Sequence, residues 1–178
     1  MIRPMVQCKP YNRQGGFTLA EVLVVLIILG IAATIVIPLI SDTSGMQVTS
    51  AARHISSTLL FAQTSAISAQ QPFQVVFDAD AECYEVRDAD GNAVADPAMA
   101  GQNYRVDYAH DPRLQKVRID AVDFDGGSKV WFDRLGAPYT GPDKENLAAL
   151  NAGSVNIQAG NKIITIAVEP ITGRININ

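Results

Sequence analysis

Three hydrophobic patterns follow one another along this chain. Residues 22–40 carry no charge, and fourteen of these nineteen are Leu, Ile or Val. At about 1.5 Å per residue a helix over this run spans roughly 28 Å, close to the hydrocarbon thickness of a bilayer. One acid, Glu21, stands immediately in front of the run. The stretch SDTSGMQVTS (41–50) then interrupts it, and Pro38 and Gly45 weaken helical continuity there. A helical period resumes at Val48, Ala52, Ile55, Leu59, Ala62 and Ala66, with Leu60 and Ile67 widening the stripe. Ser, Thr, Gln and Arg53 fill the other face, and Pro72 ends the element. Helical throughout, residues 17–69 would be about 80 Å long.

From residue 73 the period shortens to two. FQVVF (73–77) and CYEV (83–86) flank an acidic turn, and YRVDY (104–108), VRIDAVDF (117–124) and KVWF (129–132) follow. SVNIQ (154–158) and KIITIAV (162–168) are joined by Ala159, Gly160 and Asn161, a hairpin signal, and TGRINI (172–177) closes the chain. Gly, Pro, Asn and Asp separate these runs. The stretch YTGPDKENLAALNAG (139–153) reads as a surface loop with one helical turn capped by Asp143. The predicted fold is α+β: a long N-terminal helix packed on a small antiparallel sandwich.

The apolar run favours membrane insertion by about 6 kcal/mol, against a cost of about 3 kcal/mol for a carboxylate at the bilayer centre and less near an end. Arg3, Lys9 and Arg13 precede the run and acids follow it, so the N-terminus is expected in the cytoplasm. Three readings compete. A cleaved secretory signal has a shorter apolar core, and its small-residue site would have to be GIAAT (30–34), which is embedded in the run. A plain anchor explains the length but neither the acid nor the glycines before it. The third reading places processing ahead of the run, between Gly16 and Phe17.

GGFTLAE (15–21) followed by an aliphatic helix resembles the class III signal of type IV pilins and type II secretion pseudopilins. The resemblance implies that a prepilin peptidase cuts after Gly16 and methylates the new amine of Phe17. Glu21, then the fifth mature residue, would set subunit register in a filament. Gly30 and Pro38 fall where the family has a glycine and a proline, and both are expected to break the helix. Residues 1–16 would form the leader, 17–40 the transmembrane and filament-core helix, 41–70 its amphipathic half, and 71–178 a periplasmic β-rich head. Met5 offers an alternative start. The physical rationale is that cleavage puts a cationic amine one helical turn from Glu21, which can compensate it on the same chain or a neighbour's.

The head resembles those of H-type minor pseudopilins and T- and U-type minor pilins, through LLFAQTSAISAQQPFQVVFD (59–78), VWFDRLGAPYTG (130–141) and IITIAVEPITGRINI (163–177). The partners implied are other major and minor pseudopilins, the prepilin peptidase, the bacterial inner membrane and secreted proteins. The alternative is a minor type IV pilin for pilus assembly, adhesion or DNA uptake.

Charge and chemistry narrow the field. Lys and Arg number 14 and Asp and Glu 18; without Arg3, Lys9 and Arg13 the rest stands at 11 against 18. An acidic body does not suit a phosphate-binding surface, and Arg174 is isolated in GRIN (173–176), where DNA-binding relatives favour a second base at the place of Asn176. Nucleic acid is therefore not expected as a partner. The two cysteines, Cys8 and Cys83, lie on opposite sides of the apolar run, and Cys83 reads as a small buried strand residue. DAVDFDGGS (120–128) and RDADGN (87–92) fail as EF-hand loops: with Gly126 sixth, the first and twelfth positions are Ala121 and Phe132, and with Gly91 sixth they are Val86 and Pro97. These acids read as turn residues. His54 and His110 have no partner at metal-ligand spacing. No catalytic residue, metal or cofactor is expected.

Overall fold

The computed structural model describes residues 16–41 and 43–178, without the side chains of 34–41. The expected leader, residues 1–16, with Cys8, Arg3, Lys9 and Arg13, lies outside the described residues except for Gly16. The chain forms two compact units, Met1–Asp42 and Thr43–Asn178.

In the first unit, helix α1 spans Leu19–Ser41. It does not stop at Gly30 or Pro38, so the expected breaks at these positions are corrected: the helix runs through both. A mid-helix glycine costs about 1 kcal/mol and a proline, which removes one backbone bond, about 3 kcal/mol. The remaining i→i−4 bonds carry α1 across both sites. Every described side chain of α1 is exposed, and the apolar ones sit on all sides of the helix, with Val22, Leu26, Ile28 and Ile31 at least half exposed. Among the described residues no helix is long and apolar enough to cross a membrane. Side chains of α1 are described over 19–33, about 22 Å of helix, against roughly 30 Å of bilayer core.

In the second unit, helix α2 spans Ser44–Ala69 and buries Val48, Ala51, Ala52, Ile55, Thr58, Leu59, Ala62 and Ala66. All six residues of the predicted stripe are among them. Leu60 and Ile67 are not: they are 55% and 44% exposed, because the sheets cover only one side of the helix. Four alanines on the buried face leave little side chain between helix and sheets, so the sheets can approach closely. The helix ends at Gln70 in the left-handed region (φ 53), whose side chain donates to the Ile67 carbonyl at 2.7 Å.

Ten strands follow: β1 Phe73–Asp78, β2 Cys83–Asp88, β3 Arg105–Asp107, β4 Arg118–Phe124, β5 Lys129–Phe132, β6 Pro138–Thr140, β7 Ala148–Ala149, β8 Gly153–Ala159, β9 Lys162–Val168 and β10 Ile175–Ile177. They form two antiparallel sheets, ordered β3-β2-β1-β5-β6-β7 and β10-β9-β8-β4. α2 packs on β1 and β5 of the first and on β8, β9 and β10 of the second. One core joins them, including Ile55, Leu59, Phe73, Val75, Phe132, Ile157 and Ile166. The β8–β9 hairpin closes on Gly160 and Asn161 with Ala159 opposite Lys162; Gly160 has φ 61, as a two-residue turn with glycine first requires. The stretch 139–153 differs from expectation. It holds β6 and β7 rather than a helical turn, and Asp143 caps a turn by accepting the Glu145 and Asn146 N–H groups at 2.9 Å.

Candidate functional site

The chemistry singled out by sequence gathers at the start of α1. Gly16 and Phe17 precede the helix in non-regular backbone, and Phe17 is 83% exposed. A Cβ built on Gly16 meets nothing within 4 Å, and its φ lies outside the left-handed region. Neither packing nor backbone conformation within the described residues demands glycine here, so any such demand comes from something that handles this bond. Gly153 in the head is the opposite case: a Cβ there would lie 2.7 Å from Phe124 Cδ1 and 2.9 Å from Leu150 Cδ2.

Thr18 opens α1. Its Oγ1 accepts from the Glu21 N–H at 3.2 Å, and its carbonyl accepts from the Glu21 and Val22 N–H groups. Thr18 and Glu21 thus occupy the first and fourth positions of a T-x-x-E capping pattern, a signal that the sequence itself carries. A carboxylate in the first helical turn is favoured by the helix dipole by about 0.3–1 kcal/mol. The Glu21 side chain is exposed and has no ion-pair partner among the described residues.

The head shows no comparable constellation of reactive groups. Among the described residues no group of three or more His, Cys, Asp or Glu could hold a metal ion. Three acids of the two glycine-rich turns, Asp88, Asp123 and Asp125, bind backbone instead. Asp88 Oδ1 accepts from Asp90 and Asn92 N–H, Asp123 Oδ1 from Gly126 N–H, and Asp125 from Asn151 and Ala152 N–H. At Asp88 partial burial opposes ionisation, but the bonds from Asn92, Asp90 and Gly91 outweigh it and hold the carboxyl below its usual range. His110 pairs with Asp107 at 3.0 Å, and His54 lies exposed on α2. Cys83 is buried, with Arg105 Nη2 at 3.2 Å from its sulfur; burial pushes the thiol pKa up, which makes it a poor nucleophile. Trp131 and Phe132 are both buried. Arg174 is exposed, and Asn176 donates to Glu169 at 2.7 Å.

Residues 11–37 match the prokaryotic N-terminal methylation motif, which spans Gly16, Phe17, Glu21 and Gly30. No curated protein sequence matches the chain. The minor pseudopilin EpsH from the type 2 secretion system of Vibrio cholerae is similar in structure, with a TM-score of 0.50 at 11% identity over 77% of this chain and 97% of that one. The type IV minor pilin FimU of Pseudomonas aeruginosa gives a TM-score of 0.50 at 14% identity over 76% and 91%. At such identities the likeness is one of fold. The chain joins a prepilin-type N-terminal methylation motif to a pilin-like α+β fold, and the two together support its place in the type IV pilin superfamily.

Proposed function

We propose that the protein is a minor pseudopilin of a type II secretion system. It is made as a prepilin and held in the inner membrane by the apolar run over 22–40, with its N-terminus cytoplasmic and its head periplasmic. Prepilin peptidase cuts after Gly16 and methylates Phe17. The mature chain joins other major and minor pseudopilins in a short periplasmic filament that helps export folded proteins, and its head meets the secreted substrates. The observation that carries this reading is the methylation motif over 11–37, which falls on an exposed glycine that nothing described in the chain requires.

Glu21 has a defined part in this account. Its carboxylate compensates the methylated amine of Phe17, on its own chain or a neighbour's, and so fixes subunit register. Glu21→Ala is expected to insert in the membrane normally but to fail in assembly, scored by crosslinking to the major subunit. Normal assembly of that variant would refute the register role.

A minor type IV pilin is the second reading, favoured by the FimU likeness at the same TM-score. Secretion is preferred on two grounds. The mature chain has Cys83 as its one cysteine, so it lacks the disulfide that many pilin heads carry. The EpsH likeness covers 97% of that chain. Deleting the gene in its host should abolish export of secreted proteins and leave surface pili intact; the reverse phenotype would select the pilus reading.

A further inference from the structure

Three phenols and a threonine bring their hydroxyls to one buried place in the head. Tyr84 of β2 stands opposite Val106 of β3. Backbone bonds from Val86 N–H to the Tyr104 carbonyl and from Tyr108 N–H to the Glu82 carbonyl, both 3.0 Å, continue that register on either side. Side chains alternate along paired strands, so Tyr84, Tyr104 and Tyr108 leave the same face of the sheet. Thr58 of α2 meets them there, with its Oγ1 3.3 Å from the Tyr104 hydroxyl. The rings of Tyr84 and Tyr108 meet edge to face, 5.7 Å between centroids. Thr58 and Tyr84 are 1% exposed and Tyr108 is 0% exposed.

Each hydroxyl has one hydrogen to place and lone pairs to fill. Thr58 donates its hydrogen to the His54 carbonyl at 2.9 Å, so between Thr58 and Tyr104 it is the phenol that donates. The hydrogens of Tyr84 and Tyr108 are left over: neither hydroxyl has a hydrogen-bond partner in the protein. Burial pushes both phenols above their usual pKa, and the hydroxyls of Tyr108 and Thr58 pull Tyr84 the other way. The groups are therefore close enough to act on one another, yet out of bonding geometry. A buried hydroxyl without a partner is costly, and phenylalanine would fill nearly the same space without that cost. A direct bond between Tyr84 and Tyr108 would place one of the two hydrogens and leave the other unplaced.

The count closes with a small neutral molecule that accepts two hydrogens and returns two. An ion does not suit the place, because all four groups are neutral and burial keeps the phenols protonated. We infer that the hydroxyls of Thr58, Tyr84, Tyr104 and Tyr108 form a binding site for one internal water molecule, which accepts from Tyr84 and Tyr108 and donates to Tyr104 and Thr58. Buried waters typically make about three such bonds. Tyr104 also lines a cavity of about 410 Å³ between α2 and the segments 96–99 and 104–114, so water reaches the site past one side chain. The water pins β2 and both ends of β3 to α2. The inference stands whether the head serves a secretion filament or a pilus.

The test uses the full chain in detergent micelles. Water–protein NOE and ROE spectra of the parent are expected to show water in contact with the ring protons of Tyr84 and Tyr108, with the sign of a held molecule rather than of passing solvent. In thermal melts Tyr84→Phe and Tyr108→Phe should each lower Tm by about 2–6 °C, because each leaves the water and the remaining hydroxyl short of a partner. The double variant should lose clearly less than the sum of the two. Without the water each substitution removes an unpaired buried donor, and each variant should melt higher than the parent. A direct Tyr84–Tyr108 bond would reproduce the melts but give no held-water signal, and the parent spectra keep the test valid if a variant folds poorly. A higher Tm in either single variant, additive losses in the double variant, or no held water at these rings in the parent would each overturn the inference.

Discussion

Helices α1 and α2 are neighbours in sequence and close in length, 23 and 26 residues, yet they treat their apolar surface in opposite ways. α2 gathers its apolar residues on one face and buries that face against two sheets of its own chain. α1 is apolar on all sides, and no described residue covers it. A helix that is hydrophobic all round requires a bilayer or a bundle as its surroundings. The lesson is one of division. The second unit covers its apolar face with its own chain, whereas the first leaves its apolar surface open; in the account proposed above, lipid and then the same helix of other subunits cover it.

The largest expected effect separates the two helices. Leu59→Ala removes a fully buried side chain from the core and should cost about 2–5 kcal/mol of head stability. Leu26→Ala, at a site 62% exposed, should leave head stability within about 0.5 kcal/mol. Urea melts of the full chain followed by Trp131 fluorescence measure both; equal losses would erase the distinction.

Next come the glycines. Gly153→Ala forces a methyl group against Phe124 and Leu150, which are both buried, and should cost about 1–3 kcal/mol. Gly16→Ala meets nothing and should leave the melt unchanged while blocking removal of the leader, seen as a larger chain on a gel. Gly16→Ala that is still processed would mean that the glycine is incidental.

A smaller effect is expected at the start of α1. Thr18→Val removes the oxygen that accepts from Glu21 N–H and should cost the helix about 1 kcal/mol, read as lost protection of the first-turn amides in hydrogen exchange. Unchanged protection would show that the cap contributes nothing there.

The smallest effect concerns pH and is read in the head. Asp88, Asp107 and Asp111 are held below the usual carboxylate range by their hydrogen bonds, in the last case chiefly from Arg113. A folded pKa below the unfolded value, about 3.9, adds stability above that value that is lost as pH falls through the folded one. Head Tm should therefore be steady above about pH 5 and drop below about pH 4, and Asp88→Asn should shallow the drop. An identical acid profile in that variant would remove Asp88 from the explanation.

What the sequence disclosed follows the reach of each signal. The α2 stripe was legible because burial against a sheet imposes a 3.6-residue period, and the strands were legible through alternation. Leu60 and Ile67 were misplaced because periodicity gives the centre of a buried face, not how far the sheets extend round it. Strands β6 and β7 were hidden under Pro, Gly and Asp: β6 pairs with β5 and β7 with β6 through runs of only three and two residues, too short to show an alternation. Gly30 and Pro38 were over-read as breaks because local propensity was set above the continuity of the surrounding helix. The candidate site was legible at the N-terminus, where Gly16, Phe17 and Glu21 stand in one contiguous motif.

The central claim is that the first unit is processed into a filament subunit rather than kept as an anchor. Mass spectrometry of the N-terminal peptide, on protein from a host with active prepilin peptidase, tests it most directly. The account predicts a chain that begins at Phe17 with a methyl group on its amine. A chain that keeps residues ahead of Gly16, or one that begins within or after the apolar run, would contradict it.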